Sequence, residues 1–353
     1  MSVKTFEEIN EKIKSGKAVV MTAEEFIAYA EENGLSHAAK EVDVVTTATF
    51  GPMCSSGAFL NFGHSDPPIR MAKVRLNDVP AYGGLAAVDA FIGATEMSET
   101  RGFEYGGAHV IEDLIAGKPI HLQAYSYGTD CYPRKEISTY LTKDDLNQAY
   151  IYNPRNCYQN YAAATNTSPN MLYTYMGILL PECGNVTYST SGELSPLLKD
   201  PEFRTVGLGT HIFLGGSDGY IVWEGTQHVT RHESLKEGEY YAGATLAVIG
   251  DLKGMSTEYI RAGVFDKYGI TLYVGIGIPI PVIDEEMAAF LAKSNKEIFT
   301  KIFDYSVPSR TRPALRTVSY AELRSGSVEL NGKKVPTAPL SSLVKARKIA
   351  SEL

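Results

Sequence analysis

The sequence predicts a mixed α/β or α+β fold in which buried β-strands are flanked by helices, and three observations carry that expectation. After residue 205 four short β-branched runs, THIFLGG, GYIVWEG, ATLAVIG and ITLYVGIGIPIPV, are punctuated by Gly or Pro and have the near-continuous apolar character of strands covered on both faces. Capped helical patterns stand near the amino terminus and again after residue 284. The composition, 44% hydrophobic and 21% charged, is that of a globular chain able to bury a sizeable core. With 353 residues and roughly 150 residues per domain, the chain reads as a single region, 1–353. Two subdomains, about 1–200 and 201–353, are the alternative division. The order of strands cannot be derived from these patterns.

Taken in order, Phe6, Ile9 and Ile13 make an amphipathic start, and Thr22 with Glu25 three positions on makes a capping box before Phe26, Ala28 and Tyr29, with Gly34 closing the helix. Two short helices are expected here. The run VDVVTTATF, residues 42–50, predicts a strand that Gly51-Pro52 breaks, which puts Cys54 at a strand end. Six glycines between Val79 and Gly107 predict tight turns rather than regular structure. A short helix is expected over His109–Gly117, and a strand over Ile120–Tyr127 leads to Cys131, a second cysteine at a second strand end. The Tyr-, Asn- and Thr-rich stretch 140–185 is weakly periodic and reads as loops and short helices. Helical character is assigned to Glu285–Phe303 and to Leu340–Leu353.

Composition also excludes classes. The formal charge of −8 and the absence of a Lys/Arg run argue against a nucleic-acid partner. Neither a signal-peptide core nor an apolar stretch near the ~18 residues needed to span a bilayer is present, so a cytoplasmic protein with no membrane partner is expected. In that compartment thiols stay reduced, and four cysteines in a chain of this length are not a disulfide framework. They are fillers, nucleophiles or metal ligands.

An isolated cysteine is most often a buried filler. Cys54, however, precedes Ser55, Ser56 and Gly57, where backbone N–H groups can stabilise a thiolate, and Asn61, His64, Asp66 and Arg70 crowd polar groups into the same segment. Cys131 is followed by Arg134 and Lys135, cations able to depress its pKa, although a charged surface loop reads the same way. Cys157 and Cys183 form no CxxC pair with any other cysteine, which disfavours a zinc ribbon, and no resident metal is expected; dispersed cysteines could still hold an iron–sulfur cluster. His228 and His232 stand at i and i+4, but Val229 occupies the position where a zincin needs Glu. Neither Gly207-Leu208-Gly209 nor Gly275-Ile276-Gly277 extends to a dinucleotide fingerprint, and no P-loop occurs.

The segments FGPMCSSGAFLNFGHSDPP, EYGGAHVIEDL, YSYGTDCYPRKE, GYIVWEGTQH and YVGIGIPIPV, in this order over nearly the whole chain, resemble the homocysteine-biosynthesis family, the L-aspartate semialdehyde sulfurtransferases of methanogenic archaea. The resemblance implies incorporation of sulfur into L-aspartate 4-semialdehyde to give L-homocysteine in an anaerobe, with Cys54 and Cys131 as the two working cysteines. It also implies a ferredoxin-like partner that supplies electrons or sulfur. Many members of the family continue into paired nucleotide-sensing CBS modules; neither these nor clustered ferredoxin cysteines occur here, so residues 1–353 are expected to be the catalytic region alone. Turning an aldehyde into a thiol requires a sulfur nucleophile and two electrons, and a thiolate can carry sulfur as a persulfide that a second thiol resolves. An Arg fork, from Arg70, Arg134 or Arg155, suits a substrate carboxylate, and His64 or His109 could move protons. The sulfur donor, sulfide or a persulfide, stays open, and a homo-oligomer is expected of an enzyme of this size. Two rival readings remain: a sulfide-transfer enzyme in which Cys54 or Cys131 ligates an iron–sulfur cluster, and a non-catalytic metabolite sensor or scaffold.

Overall fold

A computed structural model describes residues 4–84, 89–158, 161–189, 191–226, 244–309, 311–340 and Lys348. The mixed α/β class is borne out. The chain opens with three helices rather than two, Phe6–Lys14, Ala23–Asn33 and Leu35–Glu41. Thr22 caps the second through a complete capping box with Glu25. Gly34 at φ +85° both ends that helix and starts the third, a turn that an L side chain would strain. Among the described residues no helix is long and apolar enough to cross a membrane.

The largest sheet has nine strands, and its pairing returns on itself. Thr49–Pro52 pairs with Gly269–Gly277, which pairs with His211–Leu214; the path continues through Ser217–Glu224, Leu246–Asp251 and Gln148–Asn156 to Gly57–Asn61. Thr49–Pro52 and Gly57–Asn61 are consecutive in the chain, so the ring is completed by a covalent bend, residues 53–56, where a ladder of hydrogen bonds would otherwise run. Cys54 sits in that bend. Two further strands, Ile260–Phe265 and Ala90–Gly93, extend the sheet beside the ring, which draws on both sides of residue 200.

A six-stranded sheet in the order 314–319, 299–304, 163–165, 186–188, 333–339, 327–330 carries a second core, in which Ile302, Val318, Leu323 and Val328 are buried. A four-stranded sheet, 136–141, 120–125, 73–76 and 79–81, and the helix Gly107–Ile115 complete the frame around the main core.

Several sequence expectations give way. The four apolar runs after residue 205 are strands as read, whereas 140–185 holds Gln148–Asn156, a nine-residue strand at the centre of the ring. Its inward positions are Ala149, Ile151 and Asn153, and Tyr150 and Tyr152 stand between them facing outward, so large aromatics on the outer face and an amide on the inner one hide the apolar alternation. Between 79 and 107 short strands replace the expected turns: Val79–Ala81, Ala90–Gly93, Met97–Ser98 and Gly102–Gly106. The helix expected over 285–303 covers only Glu285–Leu291, and Phe299–Asp304 is a strand whose partners lie far along the chain. The helix assigned to 340–353 lies outside the described residues apart from Leu340 and Lys348.

Lys199 is fully buried, and its Nζ donates to the Leu291 carbonyl at 2.9 Å and to that of Lys293, closing the end of the helix Glu285–Leu291. Burial lowers its pKa to about 7, against the pull of Glu193 and Glu297. Above that pH the unfolded chain binds the proton that the folded chain has released, so this lysine makes stability rise with pH from about 7 toward 10.5. Urea titrations of wild type and Lys199→Met test this between pH 7 and 8.5, below the range in which tyrosines ionise. The difference in unfolding free energy is expected to move in favour of the wild type by about 1.5 kcal/mol across the window; a constant difference refutes the titration.

Candidate active site

The bend 53–56 is pinned from four directions. Met53 N–H donates to the Leu272 carbonyl (2.7 Å), Ser56 N–H to the Met53 carbonyl (3.0 Å) and Ala94 N–H to the Ser56 carbonyl (2.8 Å). The buried Asn153 side chain then donates through Nδ2 to Ser56 Oγ at 2.8 Å. Gly57 is required at the exit, because a Cβ there would meet the Phe91 ring at 2.4 Å. Opposite the bend, the ladder between Gln148–Asn156 and Leu246–Asp251 shifts register between Asn153 and Asn156, a bulge that turns Arg155 toward the bend. Asn153 Oδ1 accepts the Arg155 N–H at 2.7 Å, so a single amide side chain fixes both the thiol segment and the arginine segment.

Bend and bulge form one side of a cavity of about 320 Å³. Cys54, Ser55 and Arg155 lie on that side, Tyr158, Tyr161, Tyr175 and Tyr268 supply an aromatic wall, and Ser189, Ser195 and Pro196 close it. The tyrosine rings pack at a tilt, 4.6 Å between the centroids of Tyr158 and Tyr161 and 5.9 Å between Tyr175 and Tyr268. Behind them the Tyr175 and Tyr305 hydroxyls stand 3.0 Å apart. Burial raises the pKa of Tyr158, Tyr161 and Tyr268, so the wall presents neutral phenols at neutral pH.

Cys54 is half-buried, with Sγ 3.1 Å from Thr271 Oγ1. Its pKa is raised by burial and pulled back by the Thr271 hydroxyl, by its own backbone N–H and by the charge of Arg155. The thiol is therefore protected from casual ionisation yet surrounded by groups that favour the thiolate once it forms.

The other residues singled out in the sequence lie elsewhere. Cys131 is exposed in the loop between Ile120–Tyr125 and Glu136–Leu141, several residues past the strand end, and is not on the cavity wall. That loop does meet the segment carrying His64 and Arg70: Arg134 N–H donates to the Pro68 carbonyl at 3.3 Å, and the His64 and Tyr132 rings approach to 6.1 Å. His64 and Arg70 are exposed there, and Arg134 Nε is spent on the Glu136 carbonyl. His109 accepts the Gly106 N–H through Nδ1 at 3.1 Å, which makes it a helix cap, and burial lowers its pKa. Cys157 is buried with its pKa pushed up to about 12, and Cys183 packs in the second core. Of the three arginines named from the sequence, Arg155 alone faces Cys54. The tyrosine wall was missed: its members are spread from 158 to 268, and nothing local marks them as neighbours. His228 and His232 lie outside the described residues. Among the described residues no three His, Cys, Asp or Glu side chains converge as a metal-ligand group.

A half-buried thiol and an arginine line one small aromatic cavity on an α/β frame, the kind of site expected of an enzyme that acts on a small molecule. The chain belongs to the homocysteine biosynthesis enzyme, sulfur-incorporation family, whose model matches residues 18–353. It is 57% identical over 353 residues to the L-aspartate semialdehyde sulfurtransferase of Methanosarcina acetivorans, an alignment covering all of this chain and 69% of that protein. The L-aspartate semialdehyde sulfurtransferase of Methanocaldococcus jannaschii is 54% identical over 368 residues, covering all of this chain and 70% of the relative. A protein of Methanothermobacter thermautotrophicus printed as uncharacterized is 31% identical over 331 residues, 91% of this chain and 72% of its own length. No solved structure matches the chain.

The Thr271 contact gives a direct check on the thiol. Replacing Thr271 by Val keeps the shape and removes the hydroxyl that a Cys54 thiolate would accept from, so the thiol pKa rises further. Carbamidomethylation of Cys54 by iodoacetamide at pH 8, followed by peptide mass spectrometry, is expected to slow by about 3- to 10-fold. An unchanged rate would mean that Thr271 does not support the thiolate.

Proposed function

We propose that this enzyme incorporates sulfur into L-aspartate 4-semialdehyde to form L-homocysteine, with Cys54 as the thiol that works on the substrate. The observation that carries the reading is the placement of Cys54 beside Arg155 on a cavity large enough for a four-carbon amino acid aldehyde. The printed names of the two relatives above 50% identity point to the same substrate. The net chemistry balances as RCHO + H2S + 2 H⁺ + 2 e⁻ → RCH2SH + H2O: one carbon–sulfur bond forms, the carbonyl oxygen leaves as water, and the carbon is reduced by two electrons from an external donor.

Within the cavity, hydrosulfide delivered next to Cys54, or sulfur that a sulfane-level donor has loaded onto Cys54 as a persulfide, which then requires two further electrons, adds to the aldehyde carbon, and the neutral phenol wall offers donors to the oxygen as it gains charge. Cys131 takes a different part. Exposed on its loop, it exchanges sulfur or electrons with donors outside the cavity, among them a ferredoxin-like partner, and it meets Cys54 by movement of the loop or from a neighbouring copy in a homo-oligomer. Expression in the cytoplasm, where both thiols stay reduced, fits this division.

Anoxic assays with L-aspartate semialdehyde, sulfide and a strong reductant test the proposal, comparing wild type with Cys54→Ser and Cys131→Ser and measuring iron in each. Homocysteine is expected from the wild type, with a loss of at least about 100-fold in Cys54→Ser, as for removal of a nucleophile. A loss in Cys131→Ser is expected as well. Full activity in either variant removes that cysteine from the mechanism, and activity that tracks iron content transfers both to the role of cluster ligands.

A further inference from the structure

We propose that Arg155 and Ser195 form the subsite that holds the α-carboxylate of the substrate, and so make the enzyme selective for amino acid aldehydes over simple aldehydes. The inference rests on the reading of the previous subsection and names the part of the substrate that the cavity recognises first.

Two buried polar atoms on the wall carry it. Arg155 Nε and Ser195 Oγ are both shielded from solvent and have no hydrogen-bond partner among the described residues. Ser195 is 2% exposed and precedes the short helix Pro196–Lys199, yet its hydroxyl caps no backbone N–H there. Buried donors are nearly always paired, and leaving a guanidinium N–H unpaired is costly unless a ligand completes it. The bulge at 153–156 and the bond from the Arg155 N–H to Asn153 Oδ1 hold the arginine at this wall at the expense of a regular ladder.

The ligand is identified by the donors. Arg155 is the sole cation among the wall residues, and a planar guanidinium matches the two oxygens of a carboxylate. A hydroxyl beside it adds a third donor. A cavity of about 320 Å³ that also holds Cys54 admits a short amino acid with its carboxylate at the arginine and its far end at the thiol. The same cation stabilises the Cys54 thiolate, so hydrosulfide is the competing occupant and the test must separate the two.

Protection of Cys54 from carbamidomethylation by neutral iodoacetamide, followed by peptide mass spectrometry, makes that separation without relying on turnover. L-homoserine, which keeps the carboxylate, is expected to slow the reaction; 3-aminopropan-1-ol, its counterpart without the carboxylate, is expected to need at least about 10-fold more to do so. In Arg155→Gln the half-protecting concentration of L-homoserine is expected to rise by about 10- to 100-fold, the scale of one charge-assisted pair, with Arg155→Lys in between. Ser195→Ala, with a smaller rise, serves if the arginine variants do not fold. Equal protection by both compounds, or L-homoserine protection unchanged in Arg155→Gln, overturns the subsite. In the turnover assay, an active wild type with an unchanged KM in Arg155→Gln sinks the subsite alone. Intact L-homoserine protection in a wild type that makes no homocysteine sinks the activity and leaves the subsite standing.

Discussion

The hydrogen bonds of Asn153 are the constraint on which the site depends. Its amide donates to Ser56 in the bend through a buried bond and accepts from the backbone N–H of Arg155 in the bulge through a part-buried one. The bend is the place where the ring of strands is closed by the chain itself, so it has freedom that a ladder would not allow. A buried side chain takes up that freedom. The outcome is a thiol and a guanidinium whose separation is set by one residue belonging to neither of the elements that carry the thiol.

Burial and charge oppose each other at Cys54, and the balance explains why the tyrosines are there. A cavity dry enough to favour addition to a carbonyl is also dry enough to keep a thiol protonated, which the upward shift of Cys54 shows. Arg155 and Thr271 supply the countervailing stabilisation locally. Phenols complete the wall without adding charge, since burial holds Tyr158, Tyr161 and Tyr268 neutral; lysines or carboxylates in their place would alter the thiol and the substrate alike. Cys157 marks the boundary of this region. Two residues beyond Arg155, with φ +53° and its N–H bonded to Asn156 Oδ1 at 2.7 Å, it turns the chain sharply into the main core and leaves its thiol inert.

What the sequence disclosed follows from how local each signal is. The capping box at Thr22 and Glu25, the apolar runs after residue 205 and the position of Cys54 after a strand are written within a few residues, and all three are in the structure. The strand Gln148–Asn156 was illegible because Tyr150 and Tyr152 face outward while Asn153 faces inward, which blurs the apolar alternation. The reading of 285–303 as helix failed for a related reason: after Leu291 the chain pairs with residues 163–165 and 314–319, and distant partners override local propensity. For the site, Arg155 could be named as a candidate by residue type, but its pairing with Cys54 spans about a hundred positions and depends on a bulge that no pattern announces.

The separation of the two cysteines constrains the chemistry more tightly than their presence does. A thiol that must ionise, take up sulfur and meet an outside donor gains from exposure, and a thiol that must present sulfur to a carbonyl gains from a dry cavity and a fixed partner. One cysteine cannot satisfy both. Cys131 has the first environment, on a loop that also touches the His64 segment, and Cys54 has the second. On the proposed function, two thiols in these two environments would suit a relay in which the loop, or a second copy of the chain, brings the exposed thiol to the mouth of the cavity. A permanently adjacent pair would risk closing into a disulfide whenever reductant ran short, whereas separated thiols keep the cavity thiol free until a loaded partner arrives.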